Sequence, residues 1–383
     1  MKIAFDSWTL ATRFRHHGTY VYARNLIAEF KRLAGDDPGL QFCLFTSRDN
    51  ANDANMIEPS TRFELSCSPW LSRARLWRLG GVALAAAEAK ADLIFSPTCN
   101  VLPVGSVPVI STIHDAIPTL MPTYSKKVSL MLRFMTACSA NLSRAIITDS
   151  ECSKKDLVQI YRLPESKVSV VYLGYENRVF HETPSPRQES QPLLRKLGLS
   201  KSYIVHHGTI QPRKNLVRLI AAYRLLLSRN KNLDYDLVLA GRLGWDYGDI
   251  LRAAAANGPG RVILSGALPD GDLASLIRSA SLAVIPSLYE GFCLPMVESM
   301  ACGTPTIAAR SSCLPEVSGE VLRYFDPNSI EDMAACMEEA LEDCDLRSEL
   351  SRKGKERAAT FRWDQCARET LDVLKRHMEN GRS

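Results

Sequence analysis

The sequence predicts an α/β protein built from two Rossmann-like, doubly wound domains, and three features of the chain carry that prediction. Short apolar runs recur with helix-length segments between them. The series stops and then restarts near Tyr203, and a polar, proline-bearing stretch separates its two halves. Apolar runs of this kind read as parallel strands buried on both faces, because the crossover segments between them cover the sheet on either side.

The first series comprises KIAF at the start, Gln41 to Phe45, Asp92 to Ser96, Val107 to Thr112, Ala145 to Asp149 and Val168 to Leu173. The second comprises Tyr203 to Gly208, Tyr235 to Gly241, Arg261 to Gly266, Leu282 to Ser287 and Thr304 to Ala309. Between them, Glu176 to Ser200 has no steady periodicity and reads as an interdomain linker with its boundary near Pro184. The expected domains are therefore residues 1–183 and 184–361. The last segment places Trp363, Ala367, Leu371, Leu374 and Met378 on one helical face, which needs a surface to cover it.

A chain of 383 residues suffices for two such cores. Its 46% hydrophobic and 23% charged content is that of a folded globular protein, which argues against a wholly disordered chain. No apolar run approaches the roughly 20 residues that span a bilayer. MKIAFDSWTLATRFRHHG carries charges where a signal peptide needs an apolar core, so a cytoplasmic location is expected. Cysteine is present 11 times, an odd number, with no C-x-x-C pair to suggest zinc or a redox couple. A net charge of +5 suits anionic ligands or an anionic membrane surface and falls short of a nucleic-acid footprint.

In open parallel sheets ligands bind beyond the carboxyl ends of the strands, which directs attention to the strand-to-loop junctions. Gly18 follows the first run, His114 and Asp115 the fourth, Arg213 and Lys214 follow YIVHHG, and Glu290 follows LAVIPS. Asn215 is placed to cap the helix that begins after it, with Arg213 and Lys214 ahead of the positive end of its dipole, an arrangement suited to a diphosphate. An isolated Arg-Lys pair is more often ordinary solvated charge. In SLYEGFCLPMVESMACGTP, Pro295 suits the start of a helix that ends at Cys302 before Gly303. Glu290 and Glu298, eight positions apart, then lie before and within that helix. An ionised Glu298 has two acceptor oxygens for the two hydroxyls of a ribose, Glu290 can accept from sugar hydroxyls, and amides around Cys293 to Met296 can face phosphate or sugar oxygens. Taken singly, each glutamate also fits an ordinary loop or first-turn acid.

Together these residues resemble the retaining glycosyltransferases of the GT-B type, in the large group called glycosyltransferase family 4. The resemblance covers nearly the whole chain. Its specific parts are E-x7-E followed by G-T-P at Glu290 to Pro305, and G-x4-R-K-N at Gly208 to Asn215. It implies two domains facing a central cleft, with 1–183 binding the acceptor, 184–361 the nucleotide-sugar, and the helix of 362–383 crossing back to the first domain. It implies that Glu298 holds the ribose, that Glu290 lies beside the transferred sugar, and that Arg213 and Lys214 clamp the diphosphate. Gly291, Phe292, Cys293 and Leu294 match the loop that contacts donor sugar and phosphate, and Leu268 the residue along the base. His114 matches the active-site histidine near the anomeric carbon, and Gly18 the glycine loop that approaches the phosphate. In that loop the family often has two or more glycines, whereas RFRHHGTY has Gly18 alone. His16, His17, Tyr20 and Asp115 are then candidates for the acceptor side.

The implied reaction moves a hexose with retained configuration and needs no metal or cofactor, the nucleotide-sugar being a substrate. GDP-mannose is the expected donor, on the similarity of HHGTIQPRKNL and SLYEGFCLPMVESMACG to bacterial mannosyltransferases, with UDP-hexoses as the alternative. A saccharide or lipid-linked saccharide is the expected acceptor. Trp70 to Lys90, with Trp70, Leu76, Trp77, Arg73, Arg75 and Arg78, and Tyr124 to Met135 mix basic and apolar residues in a way that suits a membrane surface and equally suits ordinary amphipathic helices. A dinucleotide oxidoreductase would need G-x-G-x-x-G after a strand, and none is present. A sugar-nucleotide epimerase would share the architecture without the E-x7-E and R-K-N pair, and a non-catalytic sugar-nucleotide-binding protein remains the alternative from another class.

Overall fold

The computed structural model describes residues 1–10, 18–45, 63–66, 77–99, 101–121, 126–183 and 186–379. They form two compact units, one of residues 1–174 together with 362–383, the other of residues 175–361. His16, His17, Trp70, Arg73, Arg75, Leu76 and Tyr124 lie outside the described residues.

The first unit holds a seven-stranded parallel sheet of β1 (Lys2–Asp6), β2 (Gln41–Phe45), β3 (Phe63–Ser66), β4 (Leu93–Ser96), β5 (Val109–Thr112), β6 (Ala145–Thr148) and β7 (Val168–Val170). Their order across the sheet is β3-β2-β1-β4-β5-β6-β7. Central strands such as LIFS and AIIT are buried at every residue, as expected where helices cover both faces. The second unit holds six parallel strands, β8 (Ser202–His207), β9 (Tyr235–Ala240), β10 (Val262–Gly266), β11 (Leu282–Ile285), β12 (Thr306–Ala309) and β13 (Arg323–Phe325), in the order β10-β9-β8-β11-β12-β13. In each sheet the chain winds outward in one direction, returns to the middle and winds out the other way. The order therefore reverses between β1 and β4 and between β8 and β11, the positions where doubly wound sheets open a binding crevice.

The helix Leu216–Arg229 after β8 shows how the sequence sets this packing. Leu216, Leu219, Ile220, Tyr223 and Leu227 recur at helical spacing and are buried. Each such side chain contributes roughly 1.5–3 kcal/mol on burial. The terminal helix Trp363–Glu379 packs within the first unit against Gly18–Asp36: the Trp363 ring lies 6.3 Å from that of Tyr22, and Lys375 pairs with Asp37 at 3.2 Å. The chain makes room for it at Gly174, where any Cβ would overlap the backbone of Trp363.

Three expectations need correction. Residues 175–183, expected in the first domain, belong to the second unit. Arg278 donates to the carbonyls of Val179 and His181, Lys355 pairs with Glu182, and Phe180 is buried. Trp77, in a segment that suited a membrane surface and an ordinary amphipathic helix equally, is fully buried and donates its Nε1–H to Asp6 at 2.8 Å, which removes it from any membrane-facing set. Strands β3 and β13 were not anticipated. No helix among the described residues is long and apolar enough to cross a membrane.

Candidate active site

The loops after β8 and β11 meet at the reversal point of the second sheet. The Leu288 amide donates to the Arg213 carbonyl at 2.9 Å, and the Arg213 guanidinium donates to the Tyr289 carbonyl at 2.5 Å. This joins a short turn, Pro212–Lys214, to the segment preceding the helix Leu294–Ala301. Glu290 lies between the two cations, with Arg213 Nη1 and Lys214 Nζ each 2.5 Å from a different carboxylate oxygen. All three side chains are nearly buried, at 13% exposure for Arg213, 5% for Lys214 and 7% for Glu290. Burial alone pushes the Glu290 carboxyl up, but the charges and hydrogen bonds of Arg213 and Lys214 outweigh it and hold the group at about 2. Ser312 faces the Glu290 amide at 2.9 Å and fixes the backbone there. Two cations and one carboxylate leave one net positive charge in a confined site.

Backbone geometry clears space beside this triad. Gly208 has φ 128°, and a Cβ there would lie 3.7 Å from the Lys214 Nζ. Gly241 has φ 153° and is pressed so closely on the Gly208 carbonyl that a Cβ would overlap it. Cys293 takes a left-handed conformation, φ 72°, immediately before the helix Leu294–Ala301, and burial pushes its thiol up to about 12, leaving it an inert core group. Gly291 is buried in the same turn, and Phe292 packs edge-on against Phe361 at 5.2 Å. Of the amides expected to face a ligand, that of Met296 instead donates to the Cys293 carbonyl at 3.0 Å. Leu294, the first helical residue, has no partner for its amide within the helix.

Glu298 differs from the expectation in its charge. Burial and the field of Asp270 push its carboxyl up to about 8 despite the opposing charge of Lys214, so the neutral acid predominates at pH 7. One oxygen stands 3.6 Å from Nδ1 of His207, whose Nε2 lies 3.0 Å from Ser299 Oγ. Burial, His206 and Lys214 press His207 down to about 3, and it is neutral. His207 and Ser299 escaped the sequence reading because HH completes an apolar strand. The one signal was a histidine directly before the glycine at a strand end.

Other positions resolve as follows. Asn215 does not cap with its side chain: it is left-handed, its Nδ2 donates to the Pro327 carbonyl at 2.7 Å, and its Oδ1 accepts from Arg218. Leu268, just beyond β10, packs partly against the cluster of Leu193, Leu194 and Tyr203. In the first unit Gly18 is the first residue of the helix Gly18–Asp36, not a loop residue, and Tyr20 is buried in that helix. Asp115 accepts from the Ile117 amide at 2.9 Å and so starts the short helix Ile117–Leu120. His114 is held at both ring nitrogens, by the Asp149 carboxylate at 2.8 Å and the Pro97 carbonyl at 3.1 Å. Both partners are acceptors, so both nitrogens carry protons. Burial opposes the charge, but Asp149 more than compensates and raises the imidazole above its ordinary range.

Residues 193–357 match the family described as Glycosyl transferases group 1, and residues 17–177 match Glycosyltransferase Family 4. The chain is 30% identical over 272 residues to O-antigen chain mannosyltransferase B of Escherichia coli, covering 70% of each protein. It is also 30% identical to the serotype-specific mannosyltransferase WbdA of Escherichia coli over 73% of this chain but only 35% of that longer one. Among solved structures, a sucrose-phosphate synthase from Thermosynechococcus elongatus superposes with a TM-score of 0.73 at 19% identity, covering 98% of both chains. Anabaena HepE, solved with UDP and glucose, gives 0.72 at 20% identity over 98% of this chain and 99% of that one. The fold matches solved glycosyltransferases, the two family matches account for both units, and the chain belongs to the group 1, family 4 glycosyltransferases of GT-B fold.

Proposed function

We propose that this protein transfers a hexose, mannose from GDP-mannose in the first instance, to a saccharide or lipid-linked saccharide acceptor in cell-surface polysaccharide synthesis. The second unit binds the donor, with the diphosphate at Arg213 and Lys214, the ribose hydroxyls at Glu298 and the hexose beside Glu290. The nearly buried Arg213–Glu290–Lys214 triad at the sheet's reversal point carries this reading, because two nearly buried cations beside Gly208 match a compact dianion. The mannosyl choice draws support from the names of the relatives in Escherichia coli and of the MMP alpha-(1->4)-mannosyltransferase of Mycolicibacterium hassiacum, which is 31% identical over 60% of this chain.

The chemistry breaks the bond between the anomeric carbon and the diphosphate oxygen and forms one between that carbon and the acceptor oxygen. The acceptor's proton passes to the departing diphosphate, and attack on the same face retains the configuration. Charge accumulates on the leaving oxygens, where Arg213 and Lys214 stabilise it without a metal ion. Lys214→Ala should lower turnover of GDP-mannose by orders of magnitude while the protein stays folded, and near-normal turnover would overturn the assignment. Product anomers resolved by NMR, reactions run with a chelator, and parallel trials with UDP-glucose, UDP-galactose and UDP-GlcNAc test the retention, the metal independence and the donor separately.

A further inference from the structure

The helix Lys126–Leu142 has apolar residues on two sides. Met135 and Ala140, with Thr136 and Ser139, face inward and are buried. On the opposite side, Leu130 is 70% exposed and Phe134 58%, and with exposed Lys127 they follow i, i+3, i+7 spacing, so they form one outward stripe. Val128 beside the stripe, Leu142 at its end and Leu120 on the preceding short helix are also exposed. Among the described residues, six of the twelve exposed large apolar side chains fall within residues 120–142. A cluster of this kind on a folded surface marks an interaction site.

The charges say what covers it. The helix contains Lys126, Lys127 and Arg133 and no acidic residue. Lys127 and Arg133 are both exposed. A second copy packed about a twofold axis would set these cations against their own images. An apolar stripe flanked by exposed cations instead matches a helix lying in the headgroup region of an anionic bilayer, where the apolar side chains enter the acyl boundary and the cations meet phosphates. We propose that the outward face of Lys126–Leu142 docks the protein on an anionic phospholipid surface. The proposal is independent of the donor assignment.

The test is cosedimentation of the full chain with phosphatidylcholine vesicles with and without phosphatidylglycerol, at low and high salt. Binding should require phosphatidylglycerol and weaken with salt. The double variant Leu130→Glu, Phe134→Glu alters only exposed side chains and should lower the vesicle partition coefficient at least tenfold, with the parental melting temperature and the parental response to GDP-mannose retained. Lys127→Glu with Arg133→Glu should remove the preference for phosphatidylglycerol. Absence of binding to phosphatidylglycerol vesicles at low salt, or parental binding by the Leu130/Phe134 variant, overturns the proposal. So does light scattering that shows a dimer dissolved by that variant, which would assign the stripe to a protein contact.

Discussion

Replacing Glu298 by Gln tests the charge state of the site directly. The carboxyl stands at about 8 against an ordinary 4.5, because burial and Asp270 disfavour its ionised form. The folded protein therefore binds a proton at pH 6–7 that the unfolded chain has released, and stability must fall as pH rises from about 4.5 to about 8 and then level off. At about 1.4 kcal/mol per decade of proton affinity the whole gap corresponds to about 5 kcal/mol. The side chain keeps 19% of its exposure, and solvent screening reduces the realistic effect to about 2–3 kcal/mol. Glutamine fills the same volume and never ionises. Denaturant unfolding of both proteins from pH 5 to pH 9 should give nearly equal stability at pH 5 and a Glu298→Gln protein about 2–3 kcal/mol more stable at pH 9. His207 does not confound the comparison, since its depressed value near 3 leaves it neutral across this range in both proteins. Donor binding should run the opposite way. The parent gains affinity for GDP-mannose as Glu298 ionises and offers two acceptors to the ribose, while the variant stays flat and weaker. Stability curves that remain parallel from pH 5 to pH 9 would refute the elevated carboxyl and, with it, the link between ionisation and ribose binding.

Two further outcomes follow from the same loops. Glu290→Gln leaves Arg213 and Lys214 nearly buried without their counter-charge, which costs about 3–5 kcal/mol of stability by urea unfolding; the freed cations should bind GDP at least as tightly as before while the extra affinity for GDP-mannose over GDP disappears, and an unchanged ratio by calorimetry would remove Glu290 from the sugar site. Gly241→Ala should cost several kcal/mol and lower the melting temperature sharply, because its φ of 153° disfavours any side chain and the new Cβ would overlap the Gly208 carbonyl; a parental melting temperature would show that the contact between the two loops is not needed.

The central strands were legible because a strand buried on both faces must be apolar without interruption, and LIFS, AIIT and LAVI have little alternative use. The edge strands were not. FELS and RYF are short, and Glu64 and Arg323 are exposed, as one-sided strands at a sheet margin allow. Gly208, Arg213, Lys214, Glu290 and Glu298 could be placed at the right junctions because the doubly wound order fixes where junctions fall. What could not be read was pairing across long separations. Lys214 meets Glu290 across 76 positions and His207 meets Ser299 across 92, and the first of these contacts helps to keep Glu290 ionised. The two glutamates of E-x7-E look alike in sequence, yet one is held at about 2 by two cations and the other rises to about 8 under burial and the field of Asp270. The polar segment 175–183 misled for a related reason, since a stretch without periodicity can still be fixed by side chains reaching to it, as Arg278 does.

The separation of those two carboxylates bears on why the triad is built as it is. Leaving Arg213 and Lys214 nearly buried with no counter-ion would cost several kcal/mol, so a site that waits for a dianion needs an anion of its own in the meantime. Glu290 supplies it, and its backbone is anchored at Ser312 while its carboxylate is held by the two cations. In the proposed donor complex a diphosphate would take up the cations, and the Glu290 oxygens would lose those partners at the moment a sugar hydroxyl becomes available as a donor. Exchange of one set of charge-assisted bonds for another keeps the cost of opening the triad small, and it requires the diphosphate and the sugar to arrive together. On this argument, under the proposed donor assignment, a preference for a nucleotide-sugar over a free nucleotide diphosphate would originate in Glu290, and a ribose contact at Glu298 would add affinity common to both.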